Sequence, residues 1–167
     1  ESTIGLLWAE GVAAEILLFL FSGAVVRRVG ITGLLLIGAS AAVIRWTTTA
    51  LTVDFTTLAM TQVLHGLTFG ATHLASLHFI QRAAPTGSST TAQALYSAFG
   101  LGIASAFMMI AAGHLYESYE GAAFYAMTIA AAIGGLCAFA LQRYWNGERL
   151  GNDQTTQESG KMSSSDT

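Results

Sequence analysis

Five apolar stretches, each long enough to cross a bilayer, divide this sequence: residues 4–26, 31–52, 56–81, 91–115 and 121–143, to within a few positions. A spanning helix needs roughly 20 predominantly apolar residues, because its backbone must satisfy its own hydrogen bonds in a medium without water. A water-soluble fold could bury such runs only beneath polar outer helices, and the sequence contains none. Charged residues make up 10% of the chain, against about 25% in a soluble domain. The expected fold class is an all-α membrane protein, with a transmembrane bundle over residues 1–146. Residues 147–167 turn to Ser, Thr, Gln and Gly with scattered charge, the composition of a disordered tail. The first apolar run is too long for a signal peptide and no basic segment precedes it. The chain opens on Glu1 without a methionine and holds an odd number of spans, so it is read as a fragment whose beginning is lost.

The arginines set the orientation. Arg27 and Arg28 lie between the first two spans, Arg82 between the third and fourth, and Arg143 and Arg149 after the fifth. These connections fall on one side. The opposite side carries Asp54, Glu117 and Glu120 and neither Lys nor Arg. The positive-inside rule makes the arginine side cytoplasmic, with the N-terminus outside, in a multi-pass protein of the plasma (inner) membrane. Tyr144 and Trp145, beside Arg143, read as an interfacial anchor.

Several functions are excluded at this stage. The single cysteine, Cys137, cannot form a disulfide within the chain and reads as a small packing residue. The chain has no zinc spacing, no phosphate-binding loop and no nucleophile elbow, so neither an enzyme nor a cofactor or metal is expected. Nothing in it is basic or aromatic enough for nucleic acid.

Ionisable residues inside spans are costly and mark functional sites by default. Here they are Glu10, Glu15, Arg45, His65 and His73. At the rise of a helix, Glu15 lies roughly 17 Å and Arg45 roughly 21 Å from the arginine side, with Glu10 at roughly 25 Å. The matched depth predicts a Glu15–Arg45 ion pair, with Glu10 as the other possible partner. The competing reading is a structural pair that only fixes packing.

The third span, Gln62 to Arg82, is the most polar. At 100° per residue, Gln62, His65, Gly66, Phe69, His73 and Ser76 fall within an arc of about 100°, the composition of a cavity wall. His78 points away and lies near the cytoplasmic interface. The bland alternative is interhelical hydrogen bonding around Gly66 and Gly70, a small-x-x-x-small pair. Two histidines and a glutamine on one arc favour a substrate or proton pathway, since histidine and desolvated carboxylates change protonation near neutral pH. In the fourth span Gln93 and Tyr96 share a face and are candidates for the same cavity, with helix-end packing as the competing reading.

The segments "GLLWAEGVAAEILLF" (Gly5 to Phe19), "IRW" (Ile44 to Trp46), "QVLHGLTFGATHLAS" (Gln62 to Ser76), "QALYSAFGLGIA" (Gln93 to Ala104) and "AGHLYE" (Ala112 to Glu117) resemble the C-terminal half of a major facilitator superfamily transporter, within it the phenylpropionate permease family. The superfamily loop motif Gly-x3-Asp-Arg-x-Gly is matched in part by "GAVVRRVG": Gly23, Arg28 and Gly30 are in place, and Arg27 stands where the Asp would be. The resemblance implies spans eight to twelve of twelve, forming most of the C-terminal six-helix bundle, with the N-terminal half missing. It implies a secondary transporter, a proton-coupled symporter of a small organic solute such as an aromatic acid, sugar or nucleoside, whose partners are solute, protons and the lipid bilayer. The alternative is a non-transporting membrane protein of assembly or regulation.

Overall fold

The computed structural model describes residues 2–150, with side chains described from Gly5 onward. The expected tail residues 151–167 lie outside the described residues. All regular structure among those described is helical: α1 (Ser2–Leu20), α2 (Ser22–Val29), α3 (Ile31–Leu51), α4 (Phe55–Gln62), α5 (Thr72–Ala83), α6 (Ser89–Leu95), α7 (Ser105–Tyr119) and α8 (Phe124–Tyr144). Two π-helical stretches, Gly66–Ala71 and Tyr96–Ala104, run directly into α5 and α7.

Counted by length and apolarity, two helical stretches are able to cross a bilayer: Ile31–Leu51 and the 56-residue run Ser89–Tyr144. A third exists if α1 and α2, bent 72° apart at Phe21, act as one span. The long run would measure roughly 84 Å if straight, far beyond a hydrocarbon core of roughly 30 Å. It breaks at Glu120, whose φ of 49° takes the backbone out of the right-handed helix. The expected span 56–81 is not one of the long apolar helices. It stops at Gln62 and restarts at Gly66, and it carries Gln62, His65, His73, His78 and Gln81 along its length. The expected span 4–26 also ends early, since α1 stops at Leu20.

Small residues set how closely these helices approach, as they do where lipid removes the usual hydrophobic drive for helix association. A Cβ on Gly66 would sit 2.8 Å from the backbone carbon of Ala14, and one on Gly70 3.2 Å from Glu15 Cγ. The face of α1 bearing Ala14 and Glu15 therefore seats on the π-helical stretch. On the other side, Gly38 of α3 meets Leu67 and Thr72. The most extensive helix pair is α3 with α8. It is closed by Gly135 against Ala39, by a Thr47–Thr128 hydroxyl hydrogen bond of 3.3 Å and by the stacked rings of Trp46 and Phe124. An apolar cavity of 490 Å³ remains between this pair and the π-helical stretch. Cys137 lines it and is exposed, rather than buried in packing.

The buried core is Ile31, Leu34, Ala71 and Ala75, with Leu18, Leu74, Phe79 and Trp145 packed around it. Trp145, expected as an interfacial anchor, makes an edge-on contact with Phe79 at 4.9 Å. Residues 147–150, assigned to the tail by composition, are held in place. The Leu150 amide donates to the Ala83 carbonyl at 2.8 Å, and Arg149 donates to the Thr86 hydroxyl at 2.9 Å.

Candidate functional site

The polar residues of the third helical region are brought into one row by backbone geometry. In a regular α-helix His65 and His73 would be about 80° apart around the axis. A π turn takes an additional residue, which holds the phase back by about 100° and leaves the two nearly in line. The π-helical stretch Gly66–Ala71 lies between them. The rings follow this geometry. His65 stacks on Phe69 at 5.9 Å with planes 3° apart, and Phe69 stacks on His73 at 5.7 Å with planes 8° apart. Tyr96 extends the ladder from the next helical region, at 5.8 Å from His73. Its hydroxyl is 3.2 Å from His73 Nδ1. Tyr96 opens the second π-helical stretch, so both sides of this contact are π-helical or abut one.

Beyond the other end of the ladder, Arg45 donates from Nη2 to Gln62 Oε1 at 3.0 Å. Its guanidinium also lies 4.7 Å from the ring of Trp46, within the range of a cation–π contact. The expected Glu15–Arg45 ion pair is not formed, and neither is a pair with Glu10. Among the described residues the only ion pair is His114–Glu117, at 3.8 Å. Equal depth alone does not bring two side chains together, because the azimuth around each axis decides contact. Glu15 is turned toward Gly70 and the π-helical stretch, while Arg45 is turned toward α4. Glu10 is five residues from Glu15, about 140° around α1, and takes no part in the row.

His65 itself packs against Gly11 of α1. Its Nδ1 is buried and has no hydrogen-bond partner among the described residues. Such an orphaned polar atom is uncommon and calls for a reason. It lies at one end of the aromatic ladder.

The remaining candidates divide. Gly66 packs on α1 and lines an apolar cleft with Ala14 and Leu67, and Ser76 returns its hydroxyl to the Thr72 carbonyl of its own helix. Gln93 lies half-buried one turn before Tyr96, without a side-chain hydrogen bond among the described residues. His78 leaves the row, as expected from its phase, and lines a cleft with Arg27 and Arg82. Gly23 and Arg28 belong to α2, and Gly30, at φ 77°, turns the chain into α3. Sequence reasoning missed Trp46 as the aromatic partner of Arg45. The signal was present in the adjacent pair "RW" at positions 45 and 46.

Residues 1–127 match the model of the MFS_1 like family. The chain belongs to that family. Within it, the chain is 37% identical over 131 residues to the probable 3-phenylpropionic acid transporter of Escherichia coli, a match covering 78% of this chain and 34% of that protein. It is 29% identical over 141 residues to the maltose permease of Geobacillus stearothermophilus, covering 84% of this chain and 36% of the permease. An uncharacterized transporter of Bacillus subtilis is 24% identical over 116 residues. The chain spans about a third of the length of these curated relatives. No solved structure shows a significant match. The relatives are transporters and not enzymes, and the MFS_1 like assignment agrees with the resemblance to permeases of the phenylpropionate type. Helical, apolar and related to permeases, the chain is a membrane protein.

Proposed function

We propose that this chain is part of a proton-coupled secondary transporter for a small organic anion with an aromatic ring. In this reading five helical regions cross the bilayer: α1 with α2, α3, α4 with α5, α6 with α7, and α8. They form most of the C-terminal six-helix bundle of a twelve-span fold, with the arginine side cytoplasmic. A partner half supplies the opposite wall, and the two rock about a central site.

One observation carries the reading: the row from Arg45–Gln62 to His65, Phe69, His73 and Tyr96. An aromatic ring stacks on such a ladder, and a carboxylate is met by the Arg45 guanidinium, which already shares its charge with a neutral amide rather than a carboxylate. The name of the Escherichia coli relative, a 3-phenylpropionic acid transporter, has both of these features in its solute. His65 is the proton carrier in this scheme. Its Nδ1 is orphaned in the present conformation. Alternating access changes its exposure and its distance to Glu15 and Arg45, so its proton affinity differs between the two states.

The test is uptake of radiolabelled 3-phenylpropionate by the full-length protein in proteoliposomes, with and without an imposed proton gradient. R45Q is expected to abolish uptake while membrane insertion is preserved. H65A is expected to remove the dependence on the gradient. Normal gradient-driven uptake in both variants would sink the reading. Loss of uptake only through loss of membrane insertion would favour a structural role for these residues.

A further inference from the structure

Away from the ladder, the arginine-bearing end of the bundle holds a cleft of 670 Å³ whose walls come from three separate parts of the chain. Arg27 comes from the last turn of α2, Arg82 from the last turn of α5 and Arg149 from the segment after α8. His78 and Gln81 add two more polar side chains, and Val26 and Ile31 supply an apolar floor. Each arginine is brought there by a specific piece of structure. The 72° bend between α1 and α2 turns α2 off the line of the preceding helix. The bonds from Leu150 to Ala83 and from Arg149 to Thr86 strap the post-α8 segment to the end of α5.

None of the three guanidinium groups has a carboxylate within ion-pair distance among the described residues. Arg27 and Arg82 also complement the negative C-terminal ends of their helices. That accounts for arginines in last turns, but not for their convergence with Arg149, which is on no helix. Three arginines around one concavity make a receptor for an anion with several oxygens, since a guanidinium matches phosphate geometry through paired N–H donors.

We infer that this cleft binds the phosphate headgroup of an anionic phospholipid. The ligand chemistry is that of a phosphate, and two observations favour a lipid as its source over free phosphate. The floor, Val26 and Ile31, is apolar, and the chain neighbours of two lining residues, Val29 before Gly30 and Leu150 after Arg149, are exposed hydrophobic residues at 38% and 58%, which suits a ligand that carries an acyl chain. The arginine end is also where the bilayer interface falls in the proposed topology, and basic pockets between transmembrane helices are suited to anionic headgroups there. The inference rests on the membrane embedding of these helices and is independent of the transported solute.

The experiment measures the lipid retained by the full-length protein after exchange in phosphatidylcholine nanodiscs doped with phosphatidylglycerol. The wild type is expected to enrich phosphatidylglycerol over its bulk share. Each cleft arginine removed, in R27Q, R82Q and R149Q, is expected to lower that enrichment by up to about fivefold. R28Q/R143Q removes two arginines of the same end that do not line the cleft, and is expected to retain it. R27K/R82K, which keeps the charge but loses the paired guanidinium donors, is expected to retain only part of it. Equal loss in R28Q/R143Q would mean diffuse charge attraction and overturn the site. Absence of enrichment in the wild type would overturn it as well. A third arm adds inorganic phosphate: if millimolar phosphate strips the enrichment, the cleft takes soluble phosphate and the lipid assignment fails.

Discussion

Tyr96 and His73, 23 residues apart in sequence, hold each other by a hydroxyl-to-Nδ1 contact of 3.2 Å and by rings stacked at 5.8 Å. This contact ties the fourth helical region to the third. It is also one of few such ties: Leu101 and Ile103 to Ile110 of that region are exposed, and the helix is otherwise held mainly through α6 against α5. Y96F should therefore cost about 1 kcal/mol, the net worth of one hydrogen bond, while leaving the stack. In a double-mutant cycle with H73L, the second substitution should cost less than it does alone. Strict additivity in thermal unfolding would show that the two side chains do not interact.

The Arg45–Gln62 bond predicts an ordering of effects that a Glu15 partner would reverse. Q62L removes the acceptor from a half-buried guanidinium and should destabilise by about 1–3 kcal/mol. Q62E restores an acceptor and should be tolerated. E15Q should cost less than Q62L, because Glu15 makes no direct bond to Arg45. Denaturant midpoints of the three variants check this, and an E15Q loss larger than that of Q62L would contradict the geometry.

Two glycines make opposite predictions. An added Cβ on Gly66 meets the Ala14 backbone at 2.8 Å, and backbone cannot rotate away. G66A should destabilise by about 1–3 kcal/mol through overpacking. Gly113 in α7 has nothing within 4 Å of such a Cβ. G113A should instead be neutral or gain up to about 1 kcal/mol from helix propensity. Parallel thermal melts test both.

Asp54 caps α4, accepting from the Thr57 amide and the Thr57 hydroxyl, both at 2.8 Å. The amide bond first, and the hydroxyl second, hold its carboxyl below the usual carboxylate range. A depressed folded pKa means that the ionised form favours folding. The contribution is present above the unfolded pKa of about 4 and is lost as pH falls through the folded value. D54A should melt earlier than wild type at neutral pH, and the two melting temperatures should converge in acid. D54N, which retains a cap acceptor, should lose less than D54A at neutral pH.

What the sequence by itself determined was class and chemistry. Low charge and long apolar runs require helices in lipid, because no other open structure satisfies its backbone there. The polar residues of Gln62 to Arg82 were legible as a stripe because helical phase is a property of neighbouring positions. The resemblance to permeases rested on residues now matched to the family over 1–127. Tertiary structure decided the pairing. Depth in a membrane can be counted along a chain, but the rotation of one helix against another depends on which glycines let backbones approach. Gly66 and Gly70 seat α1 so that Glu15 looks at the π-helical stretch, and Arg45 is left to Gln62. The π turns were invisible as well, since a one-residue change of phase comes from packing around a helix and not from the residues that compose it. That change of phase is what turned a stripe about 100° wide into a stacked ladder.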